Sequence, residues 1–169
     1  MSQAGHKAHA PRRVRVFSLT VSDTRTEATD EGGRLIRELA AAAGHEIVGS
    51  AIVRDEPEQV QMHIVALANQ GTADVLITTG GTGISRRDNT YEAVSGLLAK
   101  RLDGFGELFR MLSYQDIGSA AMLSRAVAGL VQGSNLVVFA VPGSIHSTHA
   151  KGCHRLIRDG ATLVECLDD

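Results

Sequence analysis

The sequence predicts a three-layer α/β/α sandwich around a mainly parallel sheet. Short runs rich in Val, Ile, Leu and Thr alternate along the chain with stretches whose apolar residues recur at helical spacing. The run Asp74-Val75-Leu76-Ile77-Thr78-Thr79 lacks the polar alternation of a strand with one wet face, as expected for a strand covered on both sides. Strand and helix in steady alternation then favour parallel pairing, because a parallel neighbour is reached only through a crossover connection.

The first strand falls on Val14-Arg15-Val16-Phe17-Ser18-Leu19-Thr20-Val21, where β-branched residues dominate. A loop over 22–29 leads into a helix from about Asp30. Leu35, Ile36, Leu39, Ala42 and Ala43 fall on one face of it, and Gly44 stands where it would end. A second strand covers about 46–53. Asp55-Glu56-Pro57-Glu58 has the form of a helix start, with Asp55 as N-cap, Glu58 three residues on and Pro57 in the first turn. Val60, Ile64, Leu67 and Ala68 continue that helix to Asn69-Gln70-Gly71. After the third strand and the glycine-rich stretch 80–83, helical spacing resumes over 90–98 and again over about 105–131, interrupted near 113–119. That interruption reads equally as a pocket lid or an interhelix turn. Leu136-Val137-Val138-Phe139-Ala140-Val141 is the last strand, and a final helix carries Ala150, Cys153, Leu156 and Ile157 on one face. Residues 1–13 read as a flexible tail ahead of a single domain over 14–169.

A chain of 169 residues suits one domain that buries roughly 70% of its unfolded surface without a disulfide or metal staple. Apolar residues at 43% and charged residues at 21% exclude disordered and fibrous classes. With 17 basic and 19 acidic residues the net charge is −2, which gives no general attraction to nucleic acid or anionic membrane. Four phenylalanines, two tyrosines and no tryptophan leave little for a base-stacking platform. Cys153 and Cys166 form no Cys-x-x-Cys pair and are too few for a disulfide scaffold. No apolar run reaches the roughly 18 residues of a membrane span, and no signal-peptide core precedes Val14. The expectation is a cytoplasmic protein without nucleic-acid or membrane partners.

Open parallel sheets bind ligands beyond the carboxyl ends of their strands. Three predicted strand ends carry unusual chemistry: Val21-Ser22-Asp23, Thr79-Gly80-Gly81-Thr82-Gly83 and Val141-Pro142-Gly143-Ser144. Glycines after a buried strand let backbone N–H groups approach an anion, and Thr78, Thr79 and Thr82 add hydroxyls. The stretch is neither a Walker A loop nor a dinucleotide fingerprint, and a plain sharp turn is the other reading. Ser85-Arg86-Arg87-Asp88-Asn89 offers cations for phosphate oxygens and a carboxylate for a metal, or else a helix cap with solvated arginines. Asp55 has the same two readings, helix cap or metal ligand at the edge that carries Asp88. His146, His149 and His154 with Cys153 have spacings too loose for a zinc site and read as surface histidines. Nothing marks a nucleophile elbow, so covalent catalysis has no support.

Leu19-Thr20-Val21-Ser22-Asp23, Val53-Arg54-Asp55-Glu56-Pro57, Thr78-Thr79-Gly80-Gly81-Thr82-Gly83 with Arg87-Asp88, Gly104-Phe105-Gly106-Glu107, Leu123-Ser124-Arg125 and Pro142-Gly143-Ser144 occur in that order. Together, over about 14–158, they resemble the MogA/MoaB family of molybdenum cofactor biosynthesis, most closely its MoaB branch. The resemblance implies a molybdopterin-binding α/β domain assembled as a trimer or hexamer. It also implies Mg²⁺ as cofactor and ATP and molybdopterin as substrates of an adenylyltransferase that releases pyrophosphate. By motif, Asp55 and Asp88 match the catalytic, Mg²⁺-holding carboxylates, and Gly80, Gly81 and Thr82 match the ligand-binding loop. Thr79, Gly83 and Arg87 flank that loop as further binding residues, and Ser113 aligns near the pterin phosphate. Ser22, Ser124, Pro142, Gly143 and Ser144 match other parts of the pocket. Family members inactive in adenylylation tend to lack the first acidic position, whereas Asp55-Glu56-Pro57 is intact here. The expectation is an active enzyme, with a non-catalytic molybdopterin-binding protein of the same pathway as the alternative.

Overall fold

The computed structural model describes residues 13–82, 84, 86 and 88–142. Their elements are β1 (Arg15–Val21), α1 (Glu31–Ala42), β2 (Glu46–Val53), α2 (Pro57–Gln70), β3 (Val75–Thr79), α3 (Thr90–Ser95), β4 (Leu98–Arg101), α4 (Asp103–Ile117), a 3₁₀ turn (Gly118–Leu123), β5 (Val127–Val131) and β6 (Val137–Val141). The six strands form one sheet in the order β2-β1-β3-β6-β5-β4. The first four run parallel, and β5 and β4 complete the sheet antiparallel.

Helices cover both faces. Ile36 and Ala40 of α1 and Phe109 of α4 pack with Val16, Val75, Ile77, Val137, Phe139 and Val141 on one side. Val60, Ile64 and Leu67 of α2 and Ala93 and Val94 of α3 pack with Leu19, Val21, Leu76, Val138 and Ala140 on the other. Every residue of β3 and of β6 is buried, which explains their unalternated sequences. The chain leaves β1 over one face through α1 and returns from β2 over the other through α2. The direction of strand addition therefore reverses between β1 and β3, where such sheets leave a crevice at their carboxyl ends.

The first half follows the sequence closely. Asp30 caps α1, its carboxylate accepting the Gly33 N–H at 3.0 Å, and β2 spans the expected 46–53. The helical spacing read over 90–98 and up to 131 is corrected at two places. Leu98–Arg101 is the edge strand β4, and Val127–Val131 is β5, which lies buried between β6 and β4. Ala128 and Gly129 dilute the β-branched signal of Val127 and Val131, so sheet pairing decides a conformation that local propensity leaves open. The helix α4 runs unbroken through Ser113, and the expected interruption is the 3₁₀ turn that begins at Gly118. The final predicted helix lies outside the described residues, as do residues 1–12.

At the amino end of the sheet, Asp74 ties β1 to β3. Its carboxylate accepts the Arg15 N–H at 2.8 Å and the two arms of the Arg15 guanidinium at 3.2 and 2.7 Å. The Arg15 hydrogen bonds hold the Asp74 carboxyl below its ordinary value. Stability from this pair is therefore present above the unfolded carboxyl value of about 4 and is lost as pH falls through the lowered folded value. Asp74→Asn is expected to melt a few degrees below wild type at pH 7, with the gap closing in acid. Thermal unfolding across pH 2–7 measures it, and a gap that stays constant would contradict this assignment.

Candidate functional site

The carboxyl ends of β2, β1, β3 and β6 are laced into one rim. The Ser22 N–H donates to the Val53 carbonyl at 2.8 Å, and the Gly80 N–H donates to the Val141 carbonyl at 3.3 Å. The Asp55 N–H reaches Asp23 Oδ1 at 3.4 Å, and the Thr79 hydroxyl reaches the Pro142 carbonyl at 3.5 Å. The strand ends expected to converge do so among the described residues.

Two consecutive glycines form the floor. Gly80 adopts φ +103°, and a Cβ on it would lie 2.2 Å from the Val21 carbonyl oxygen. Gly81 adopts φ +61°, and a Cβ there would lie 2.2 Å from Thr90 Oγ1 and 2.8 Å from Asp55 Oδ1. The Asp55 carboxylate and the Thr90 hydroxyl therefore both crowd the bare α-carbon of Gly81. Only glycine combines this left-handed backbone with so close an approach.

The structure decides the double reading of Asp55 against helix capping. The N-cap of α2 is Glu56, with no side-chain hydrogen bond and Pro57 in the first turn. Backbone rigidity starts this helix, and Asp55 points instead to the Gly81 floor. Likewise Asn89, not Asp88, is the N-cap of α3. Asp88 is half-buried in the segment that leaves Gly81 and returns to it, for the Thr90 N–H donates to the Gly81 carbonyl at 2.9 Å.

Thr82, Thr90, Ser113 and Ser124 are buried, and none of their hydroxyls has a hydrogen-bond partner among the described residues. Buried hydroxyls are ordinarily satisfied, so Thr82 and Thr90 beside the glycine floor mark places for a polar ligand or water. Ser113 lies on the buried face of α4, one turn beyond Phe109, and Ser124 follows the 3₁₀ turn. The Ser22 hydroxyl accepts the N–H groups of Thr24 and Arg25 at 3.3 and 3.2 Å, so it shapes the loop after β1. Asp30, buried, accepts the Thr20 hydroxyl at 3.0 Å and pins the positive end of α1 near this rim. A Cβ on Gly32 would lie 3.9 Å from the Thr79 methyl carbon.

Sequence reasoning missed Thr90 and Arg125. Arg125 was legible only as part of a motif, yet its guanidinium donates to the Thr82 carbonyl at 3.2 Å and to the Asp88 carbonyl at 2.8 Å. Gly83, Arg87, Gly143 and Ser144 lie outside the described residues, as do His146, His149, Cys153 and His154. Among the described residues no group of three or more His, Cys, Asp or Glu could hold a metal. A Mg²⁺ ion needs no such cage, since one or two carboxylates, water and substrate phosphates complete its shell. Asp55 against the glycine floor, with an oxygen donor beside it in Thr90, suits that hard cation.

Comparison with known proteins agrees with this architecture. A family model described as a probable molybdopterin binding domain matches residues 18–157. The molybdenum cofactor biosynthesis protein B of Bacillus cereus is 52% identical over 145 residues, 85% of either chain. A crystal structure of a molybdenum cofactor biosynthesis protein B superposes with a TM-score of 0.79 at 48% identity, covering 92% of both chains. The tungsten cofactor synthesizing protein MoaB of Pyrococcus furiosus superposes with a TM-score of 0.77 at 38% identity, covering 90% of this chain and 94% of that one.

The floor generates a stability ranking. Gly81→Ala forces a left-handed alanine, worth about 1–2 kcal/mol or roughly 2–6 °C of thermal midpoint, and displaces side chains that can move. Gly80→Ala must also shift the Val21 backbone carbonyl and is expected to melt lower still. Thermal unfolding of both variants checks the order, and equal midpoints would contradict the packing described.

Proposed function

The chain belongs to the molybdopterin-binding domain family of molybdenum cofactor biosynthesis proteins, and from that premise we propose that it adenylylates molybdopterin with Mg-ATP. The observation that carries the proposal is the Asp55 carboxylate packed against the Gly81 floor rather than capping α2. A terminal phosphate oxygen of molybdopterin attacks the α-phosphorus of ATP. The new P–O bond gives adenylyl-molybdopterin, and the bond to the β-phosphate oxygen breaks to release pyrophosphate. Both reactants are anionic, so the protein's task is to align them in line and offset their repulsion.

Asp55 and Asp88 would hold the Mg²⁺, which when bound neutralises charge on the phosphate oxygens. Backbone N–H groups of Gly81 and Thr82, with the Thr82 and Thr90 hydroxyls, hold phosphate oxygens in the crevice between β1 and β3. Ser113 belongs to the pterin-phosphate side of the pocket, Ser124 and Pro142 to other parts of it, and Arg87 supplies a further cation. The attacking phosphate is already ionised, so the chain needs no strong general base. A cytoplasmic setting agrees with this chemistry, and among the described residues no helix is long and apolar enough to cross a membrane.

The same reading makes the chain a homo-oligomer, a trimer or a hexamer. Leu108, Met111 and Tyr114 of α4, with Met122 and Leu123 beyond it, leave a stripe of large apolar side chains exposed. A second copy of this chain is the occupant proposed for that stripe.

Purified protein with molybdopterin, ATP and Mg²⁺ is expected to release pyrophosphate. Asp88→Asn should reduce turnover on the order of a hundredfold with pterin affinity nearly unchanged, and Asp55→Asn should weaken the response to Mg²⁺. Pterin binding without pyrophosphate from wild type would return the chain to the role of a molybdopterin-holding protein. Met111→Glu is expected to lower the mass measured by light scattering towards the monomer, and an unchanged mass would place the interface elsewhere.

A further inference from the structure

We infer that Arg125 is a positioning residue that fixes the backbone at Thr82 and at Asp88 relative to one another, an inference that rests on the function proposed above. Thr82 follows the glycine floor directly and Asp88 stands two residues before Thr90, whose N–H donates to the Gly81 carbonyl, so the place of Asp88 relative to Asp55 depends on how the backbone at Thr82 and at Asp88 is held. One side chain fixes both. From the stretch just before β5, Arg125 Nε donates to the Thr82 carbonyl at 3.2 Å and Nη2 donates to the Asp88 carbonyl at 2.8 Å. Its Nη1 donates to the Glu92 carboxylate in the first turn of α3. The guanidinium also lies 5.1 Å from the centroid of the Tyr91 ring, and the Tyr91 hydroxyl accepts the Arg101 guanidinium of β4 at 2.9 Å. The clamp is thus anchored to α3 and to the far edge of the sheet.

The planar fork of arginine suits this task. Its donors diverge at fixed angles, so one group reaches two carbonyls and a carboxylate at once, which an ammonium on a flexible stem cannot reproduce. Both carbonyls are backbone atoms, so the guanidinium constrains the path of the chain rather than the rotamer of one side chain. Arg125 is mostly buried, its side chain 28% exposed, which strengthens these charge-assisted bonds relative to water. The role is positional: the proposed reaction needs the Asp88 carboxylate in register with the phosphates, and a displacement of about 1 Å is enough to lower turnover about a hundredfold.

Hydrogen–deuterium exchange on peptides spanning 80–92, in wild type, Arg125→Ala and Arg125→Lys, tests this directly, with AMP transfer measured on the same preparations. Arg125→Ala is expected to raise exchange over 82–90 about tenfold while peptides of β1, β3 and β6 stay unchanged. Its kcat should fall on the order of a hundredfold, its KM for molybdopterin should stay within about threefold, and more Mg²⁺ should be needed for half-maximal rate. Arg125→Lys should fall between. If Arg125→Ala does not fold, Glu92→Gln, which leaves Arg125 in place but removes its carboxylate anchor, should raise exchange over the same peptides. Unchanged exchange in these variants, or a fall in kcat/KM carried by KM alone, would overturn the inference. Should wild type itself release no pyrophosphate, the proposed function fails while the exchange result still decides the role of Arg125.

Discussion

The site depends on one close contact, a carboxylate and a hydroxyl sharing the α-carbon of a glycine. Asp55 Oδ1 and Thr90 Oγ1 both occupy the volume that a Cβ on Gly81 would fill. That contact joins the end of β2 to the start of α3 across the loop after β3, three points distant in sequence. It exists because β1, β3 and β6 end together and because the loop after β3 turns immediately in a left-handed conformation. The parallel sheet supplies the common edge, and the two glycines supply the room. The proposed anion and metal sites would then draw on the same few ångströms of backbone.

The rest of the fold holds that edge still. Two apolar layers clamp β3 and β6 from both faces, so the strands that carry the loop have no wet side on which to shift. At the opposite end, the Arg15–Asp74 pair fixes the register of β1 against β3 with three hydrogen bonds to one carboxylate. At the functional end, the buried Asp30 joins β1 to the first turn of α1 through Thr20 and Gly33. These contacts limit how far the rim can move.

Much of this was legible in the sequence, because buried parallel strands leave continuous apolar runs and glycines leave turns. The strands over 15–21, 46–53, 75–79 and 137–141 stand out for that reason, and so does the convergence of their ends. The antiparallel extension β5–β4 does not stand out, because Val127-Ala128-Gly129-Leu130-Val131 satisfies helix and strand alike until β6 lies beside it. Local pattern also left Asp55 with two readings, helix cap or metal ligand, since the acid, the proline and the later glutamate imitate a cap. Burial against Gly81 is a long-range fact that no spacing rule encodes. Thr90 and Arg125 escaped for the same reason, for their partners lie 9 and 43 residues away (Gly81 and Thr82), and only the fold brings them together.

The central claim is that Asp55 and Asp88 share one divalent ion above the Gly81 floor while ATP phosphates occupy the crevice between β1 and β3. Crystals grown with Mn²⁺ and a non-hydrolysable ATP analogue locate that ion by its anomalous scattering. The account predicts a peak bound by both carboxylates and by phosphate oxygens at the mouth of the glycine loop. A peak bound elsewhere, or phosphates seated on another edge of the sheet with Asp55 still packed on Gly81 and no metal beside it, would contradict it.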